Sequence, residues 1–130
     1  MSLINVVTNT EESVASGGII PLTTITRRTG CALNLNSNSI VITKPGYYIL
    51  DANVTFESQA EGTETIAVYK NGVLVPGASA TITTAASTIY TAGINTTLRT
   101  FINEPGATIT LVGTGGAITI QNANLRVLNA

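Results

Sequence analysis

Three glutamates close together in the sequence are the first residues to consider for chemistry. Glu57, Glu61 and Glu64 surround the segment 58–62. Hard divalent cations prefer carboxylate oxygens, but no aspartate-rich segment accompanies these three, and charged loop residues are usually only solvated. We therefore predict no metal site, while a cation at this loop stays an open alternative.

Asp51 is the only aspartate of the chain and lies in the middle of a predicted strand. A buried carboxylate must be paired or hydrogen-bonded, and Arg126 or Arg99 can supply the partner. The equally weighted alternative is that Asp51 faces a solvent channel. A cation at Asp51 is left open as well.

The composition argues against catalysis. The chain contains no histidine, which removes the commonest general base and any Ser-His-Asp or Cys-His arrangement. The glycine-rich residues 113–116 are followed by neither a Lys-Ser/Thr pair nor a helical pattern, so they predict a turn and not a phosphate loop. We expect no catalytic residues, no enzyme activity and no cofactor.

Charge is scarce. Charged residues make up 10% of the chain and the net charge is −1, whereas about a quarter of an average domain is charged. Nucleic acid is excluded as a partner, because its binding needs a basic stripe. With 22 threonines, the surface is largely neutral and polar. Such a surface fits a protein that packs against copies of itself, or an extracellular or virion coat protein.

The sequence has no feature of a membrane or secreted protein. No apolar run approaches ~18 residues, so we expect no membrane insertion. The first ten residues lack a basic region followed by an apolar one. We expect the protein to reach a virion or a cell surface without a signal peptide. Cys31, the only cysteine, is predicted to be a small buried apolar residue.

Alternation of apolar and polar residues predicts β-strands. Between residues 48 and 56 the apolar positions recur every second residue, as in a strand with one buried face. The predicted core residues of this strand are Tyr48, Leu50, Val54 and Phe56. Asn71-Gly72, between apolar runs, predicts a hairpin with a type I′ turn, and Pro76-Gly77 is expected to end the short strand that follows.

The remaining strands are predicted from the same pattern and from turn residues. They span residues 19–27, 32–35, 39–43, 63–70, 73–75, 79–83, 88–91, 94–103, 108–112 and 124–128. About ten short antiparallel strands indicate an all-β jelly-roll sandwich of two sheets. We expect a single domain over residues 1–130, with residues 1–17 as an N-terminal segment that adds a strand or an arm.

One strand is apolar on both faces. Tyr47 and Ile49 alternate with the core residues and, beside Leu128 and Ile4, are expected to face outward. A sandwich strand normally has one wet face. Burial against neighbouring subunits is the favoured explanation; the alternative is cover from a loop or from the N-terminal segment.

The segment 45–55, Pro-Gly-Tyr-Tyr-Ile-Leu-Asp-Ala-Asn-Val-Thr, resembles the central strand of the complement globular-head and tumour-necrosis-factor-like jelly rolls. The hairpin 68–73 and the closing strand 123–127 are similar to those of bacterial and phage members, as found in prophages and on spore surfaces. The resemblance covers residues 18–129. A collagen-like stalk and the aromatic-glycine signature near the last strand are missing.

The resemblance implies a homotrimer in which one sheet of each subunit faces a three-fold axis. The implied interface consists of Tyr47, Ile49, Asp51, Asn53, Arg126 and Leu128. It also implies that the last strand lies in the middle of that inner sheet.

Two functions are compatible with these expectations. The first is a structural protein, a trimeric knob on a phage virion or bacterial surface assembly, whose partners are itself and other particle proteins. The alternative is a receptor-binding tip that recognises a cell-surface glycan. Outside the central strand and the hairpin only Tyr90 and Phe101 offer aromatic surface, and there is no tryptophan.

Overall fold

Alternating side chains and turn residues together produce a fold made of strands. The computed structural model describes residues 2–101 and 106–129. Its strands are β1 Leu3–Thr8, β2 Glu12–Val14, β3 Gly18–Ile19, β4 Thr24–Thr29, β5 Leu33–Asn36, β6 Ser39–Ile42, β7 Gly46–Ser58, β8 Gly62–Lys70, β9 Val73–Thr84, β10 Ile89–Thr100, β11 Ala107–Thr114 and β12 Ile118–Asn129.

The strands form two antiparallel sheets. Sheet A has the order β10-β7-β12-β1-β4, with β2 also paired to β12. Sheet B has the order β5-β6-β11-β8-β9, with β3 paired to β11. The two-sheet jelly roll predicted from the sequence is confirmed, and the last strand, β12, lies in the middle of sheet A as the resemblance implied.

The core lies between the sheets and comes from alternate residues of nearly every strand. Tyr48, Leu50, Val54 and Phe56 of β7 are at most 1% exposed. The opposing sheet contributes mainly isoleucine, leucine and valine, among them Ile66, Ile109 and Leu111. This burial fixes the register of β7, because a slip by one residue would expose every core side chain.

The Asn71-Gly72 hairpin is present between β8 and β9. Asn71 has φ +52° and Gly72 has φ +80°, which is the pair of positive values that a type I′ turn requires. Asn71 also fixes the neighbouring strand, because its Oδ1 accepts a hydrogen bond from the backbone N–H of Thr108 (2.8 Å).

Several strand boundaries differ from the prediction. Pro76-Gly77 does not end a strand but lies inside β9. There Ala67 pairs with Ser79 and Tyr69 with Leu74, so four residues of β9 bulge opposite one of β8. Proline is tolerated because β9 is an edge strand. On its outer side no neighbouring strand needs a hydrogen bond from a backbone N–H, which proline lacks.

Two further differences concern continuity. The predicted strand 19–27 is divided between β3 and β4, which belong to different sheets. The predicted strands 88–91 and 94–103 form one strand, β10, over its described part, and residues 102 and 103 lie outside the described residues.

The N-terminal segment is integral to the fold, since β1 pairs with both β12 and β4.

Candidate functional site: an exposed sheet face and an edge groove

The outer face of sheet A carries the residues for which an interface is predicted. Tyr47, Ile49, Asp51 and Asn53 follow one another on the solvent side of β7. Register places Leu128 of β12 beside Ile49, and Arg126 beside Asp51. We call this surface, Tyr47, Ile49, Asp51, Asn53, Arg126 and Leu128, the sheet A face.

The sheet A face combines exposed apolar side chains with polar ones. Tyr47 is 55% and Ile49 39% exposed, while Leu128 is half-buried. Ile4, expected to lie beside them, is instead fully buried in the core. Its neighbour Leu3 takes the outward place, opposite Leu128, because the alternation along β1 points Ile4 and Val6 into the core.

Asp51 is paired with Arg126. Arg126 Nη2 donates a short hydrogen bond to Asp51 Oδ2, and the two residues face each other across β7 and β12. This is one of the two partners considered from the sequence. The pair is partly exposed and therefore adds little to stability, but it cancels both charges within one protomer.

Arg99, the other candidate partner, is used differently. Its guanidinium lies over the ring of Phe101 at 4.6 Å from the centroid, and over that of Tyr47 at 5.4 Å. Such cation–π contacts hold the guanidinium against the aromatic surface. The Arg99 carbonyl accepts a hydrogen bond from Lys70 Nζ (2.8 Å), which ties β10 to the β8–β9 hairpin.

A groove of about 430 Å³ lies at this edge of the sandwich, between β9 and β10. We call it the edge groove. Its residues are Lys70, Val73, Leu74, Val75, Pro76, Thr97, Leu98 and Arg99. Val73 and Leu74 are among the most exposed apolar residues, at 69% and 47%. The sequence places Val73 and Leu74 only in a hairpin and does not predict the groove, because the groove lies between two strands that are distant in the sequence.

The three glutamates around residues 58–62 do not come together. Glu57 lies on the outer side of sheet A, opposite Ile89 and Thr119; Glu61 is exposed in the connection; Glu64 is 2% exposed. Among the described residues no group of three Asp, Glu, Cys or His side chains is placed to hold a metal. Burial raises the pKa of Glu64, and a hydrogen bond from the Gly116 N–H opposes the rise only in part.

Two other expectations change. Cys31 is exposed and not buried, because it lies in the connection between β4 and β5 and not at an inward position of a strand. Tyr90, considered for a sugar platform, is half-buried: its ring packs on Phe56 at 6.0 Å, and its hydroxyl accepts a hydrogen bond from the Ala85 N–H (2.8 Å). In the described residues no helix has the length and hydrophobicity to span a membrane.

Sequence comparison finds no relatives: no protein-family model and no curated protein matches this chain. Solved structures do match. Murine APRIL superposes with a TM-score of 0.74 at 13% identity, over 99% of this chain and 98% of that one. The globular domain of zebrafish complement 1qA protein gives 0.74 at 10% identity, over 99% and 97%.

A third similar structure is PRD1 vertex protein P5, with a TM-score of 0.60 at 11% identity, over 98% of this chain and 96% of that one. Each comparison includes the N-terminal strands, beyond the range 18–129 on which the sequence resemblance rests. The chain has the tumour-necrosis-factor-like jelly-roll fold, as the sequence indicated.

Proposed function

We propose that the chain is a non-enzymatic structural protein that forms a homotrimeric knob on a virion or a bacterial surface assembly. The observation that carries the proposal is the sheet A face, where the exposed apolar side chains lie directly beside an internally neutralised ion pair. Contiguous exposed apolar surface on a folded protein marks a site of interaction, most often with another protein.

A second copy of this chain is the occupant that fits best. Three aspartates near a three-fold axis would repel one another, but Arg126 neutralises each Asp51 within its own protomer. The protein therefore needs no foreign counter-charge to bring three such faces together. The apolar side chains of Tyr47, Ile49 and Leu128 contribute a favourable free energy of about 25 cal/mol for each Å² of their surface that the contact buries.

The edge groove is continuous with the sheet A face through Thr97, which lies opposite Ile49, and Arg99, which lies opposite Tyr47. Two adjacent but different patches suit a heterologous contact, in which the groove side of one subunit meets the face of the next. Such contacts close into a ring when the rotation permits it. This geometry supports a closed trimer more than a two-fold dimer, whose contact would join identical patches.

Sedimentation equilibrium tests the assembly. We expect a species of three times 13.4 kDa at ~1 μM chain, because obligate interfaces of this kind persist at such concentrations. A monomer at that concentration would refute the trimer.

The location on a particle is supported by the low charge of the chain and by its structural similarity to a protein described as a vertex protein. Its test is the composition of purified particles from the source. The chain should be a stoichiometric component of virions or of the isolated surface layer. Its presence only in the soluble cell fraction would contradict this part of the proposal.

A glycan-binding tip is a second candidate function, favoured by one observation. Phe101 is 47% exposed and carries the Arg99 guanidinium beside the edge groove, and sugar sites use an aromatic surface next to a few polar groups. Glycan-array binding by the trimer that is lost in Phe101→Ala would support it. Failure of the wild-type protein to bind any glycan would leave the structural function alone.

A further inference from the structure

The charged side chains are separated along the length of the strands. All six basic residues lie toward the end of the sandwich where β7 begins: Arg27, Arg28, Lys44, Lys70, Arg99 and Arg126. Each lies level with the first half of β7 or before its start; Arg99, for example, lies opposite Tyr47. We call this region the basic half.

The described acidic residues lie toward the opposite end, with the exception of Asp51, whose charge Arg126 cancels. They are Glu11, Glu12, Glu57, Glu61 and Glu64. Glu57 is the second-last residue of β7, and Glu12 lies in β2, which pairs with the start of β12. Glu104 lies outside the described residues. We call this region the acidic half.

Each half also has an exposed apolar side chain beside its charges. In the basic half, Phe101 is 47% exposed, and the Arg99 guanidinium and Lys70 Nζ lie over its ring, at 4.6 Å and 5.8 Å from the centroid. In the acidic half, Ile89 is 57% exposed and lies directly opposite Glu57 on the neighbouring strand, so the two side chains share one face of sheet A. An apolar centre with a polar rim is the usual composition of a protein–protein contact.

We propose that the acidic half of one copy of the chain binds the basic half of another, with Ile89 against Phe101 and with Glu57 beside Lys70 and Arg99. The occupant is a second copy because the chain itself carries both complementary patches. A net charge of −1 also leaves little overall repulsion between copies. Charge complementarity of this kind favours the contact between unlike halves and opposes the contact between like halves.

This contact joins one trimer to another, and in that respect it rests on the proposed homotrimer. Neither Phe101 nor Ile89 belongs to the sheet A face or to the edge groove, so the contact proposed within the trimer does not include them. A single exposed ion pair contributes little to binding. A trimer presents three copies of each half, however, and several linked weak contacts bind far more tightly than one.

Sedimentation velocity at two salt concentrations tests the contact, because salt screens the attraction between exposed charges. We expect species heavier than a trimer of the 13.4 kDa chain at about 0.01 M salt, and the trimer alone at about 1 M. A trimer at both concentrations would overturn this contact and leave the proposed homotrimer intact. A monomer at both would overturn the homotrimer together with the contact.

Two charge reversals identify the halves. Glu57→Lys and Lys70→Glu should each weaken the association of trimers at low salt at least about tenfold, because the reversed charge occurs three times in each trimer. An equimolar mixture of the two variants should recover the heavier species, since each variant retains the half that the other has lost. A mixture that stays trimeric would contradict the pairing of unlike halves.

A third variant tests the apolar centre of the contact. Ile89→Lys should remain a trimer at low salt. Ile19→Lys is the matched control, because Ile19 is 49% exposed near the middle of sheet B, in the same row as Val112 and Ala67, and it should keep the heavier species. If Lys70→Glu does not fold, Ile89→Lys and its control still decide. Heavier species that persist in Ile89→Lys, or that are lost equally in Ile19→Lys, would refute the contact.

Discussion

At the scale of single residues, Tyr48 and Thr100 share one acceptor. The Tyr48 hydroxyl donates to the Lys44 carbonyl (2.8 Å), and Thr100 Oγ1 donates to the same oxygen (2.9 Å). Both residues are buried, at 0% and 4% exposure. The carbonyl thus has two hydrogen bonds, and losing one does not leave it without a partner.

We therefore predict that Tyr48→Phe costs only about 0.5–1.5 kcal/mol of unfolding free energy. Thr100→Val should cost a similar amount. The double variant should lose more than the sum of the two, because the buried carbonyl then has neither donor. Urea unfolding of the four proteins in the cycle measures this coupling, and strict additivity would contradict it.

Glu64 gives the stability of the protein a pH dependence. Because burial raises the pKa of Glu64, the folded state holds the proton more tightly than the unfolded state does. Stability should therefore fall as pH rises from the ordinary pKa of a glutamate to the raised one, and remain lowered above it. Glu64→Gln cannot ionise and should lack this fall.

Glu64→Gln should consequently be more stable than the wild-type protein at about pH 7 and should lose that advantage near pH 4, the usual range of a glutamate. Differential scanning calorimetry at the two pH values measures it. A constant difference in Tm between the two proteins would show that the titration of Glu64 is not the cause.

The inward and outward residues of β7 could be predicted from the sequence, and the burial of the Glu64 carboxylate could not. The alternation around Tyr48 and Leu50 separates core from surface because both faces of β7 are defined by neighbours in the sequence. Glu64 differs, because it is a titratable residue at an inward position. Its burial depends on the small glycines of residues 113–116, which lie far along the chain and leave space for the carboxylate.

At the scale of elements, the β8–β9 hairpin depends on its turn. Gly72 has φ +80°, and a non-glycine residue pays about 1–2 kcal/mol in this region. Gly72→Ala should therefore lower the unfolding free energy by about that amount. Gly106→Ala is a suitable control, since a Cβ there would meet only ordinary contacts at 3.8 Å or more. Chemical denaturation of both variants measures the difference, and equal costs would argue against the turn as the cause.

Turn residues predicted this hairpin but misled elsewhere. Asn71-Gly72 between apolar runs strongly favours a type I′ hairpin turn, whereas Pro76-Gly77 is compatible both with the end of a strand and with a bulge inside one. Here it forms a bulge, and β9 continues beyond it to Thr84 along the edge of sheet B. The division of residues 19–27 between two sheets has a similar cause. β3 joins sheet B by pairing with β11, and β4 joins sheet A by pairing with β1; these partners are distant in the sequence, so the local pattern does not predict them.

At the scale of the whole molecule, assembly depends on the sheet A face. Ile49→Lys places a charge in the middle of this face, and an unpaired charge in a buried interface costs several kcal/mol. We expect this variant to sediment as a folded monomer. Ile19→Lys is the matched control, because Ile19 is 49% exposed on a strand of sheet B, and it should remain trimeric. A trimeric Ile49→Lys variant would refute the interface.

The place of β12 in the middle of sheet A has a consequence for folding on the ribosome. Leu3 pairs with Leu128, and β7 meets β12 along nearly its whole length. A growing chain therefore has both flanking strands before it has the strand that joins them. Sheet A cannot close until β12 has been synthesised, and folds dominated by such distant pairings form in milliseconds to seconds. Until then, the edges of β1 and β7 that later pair with β12 can pair with other chains, and rapid synthesis of β12 protects the nascent protein from aggregation.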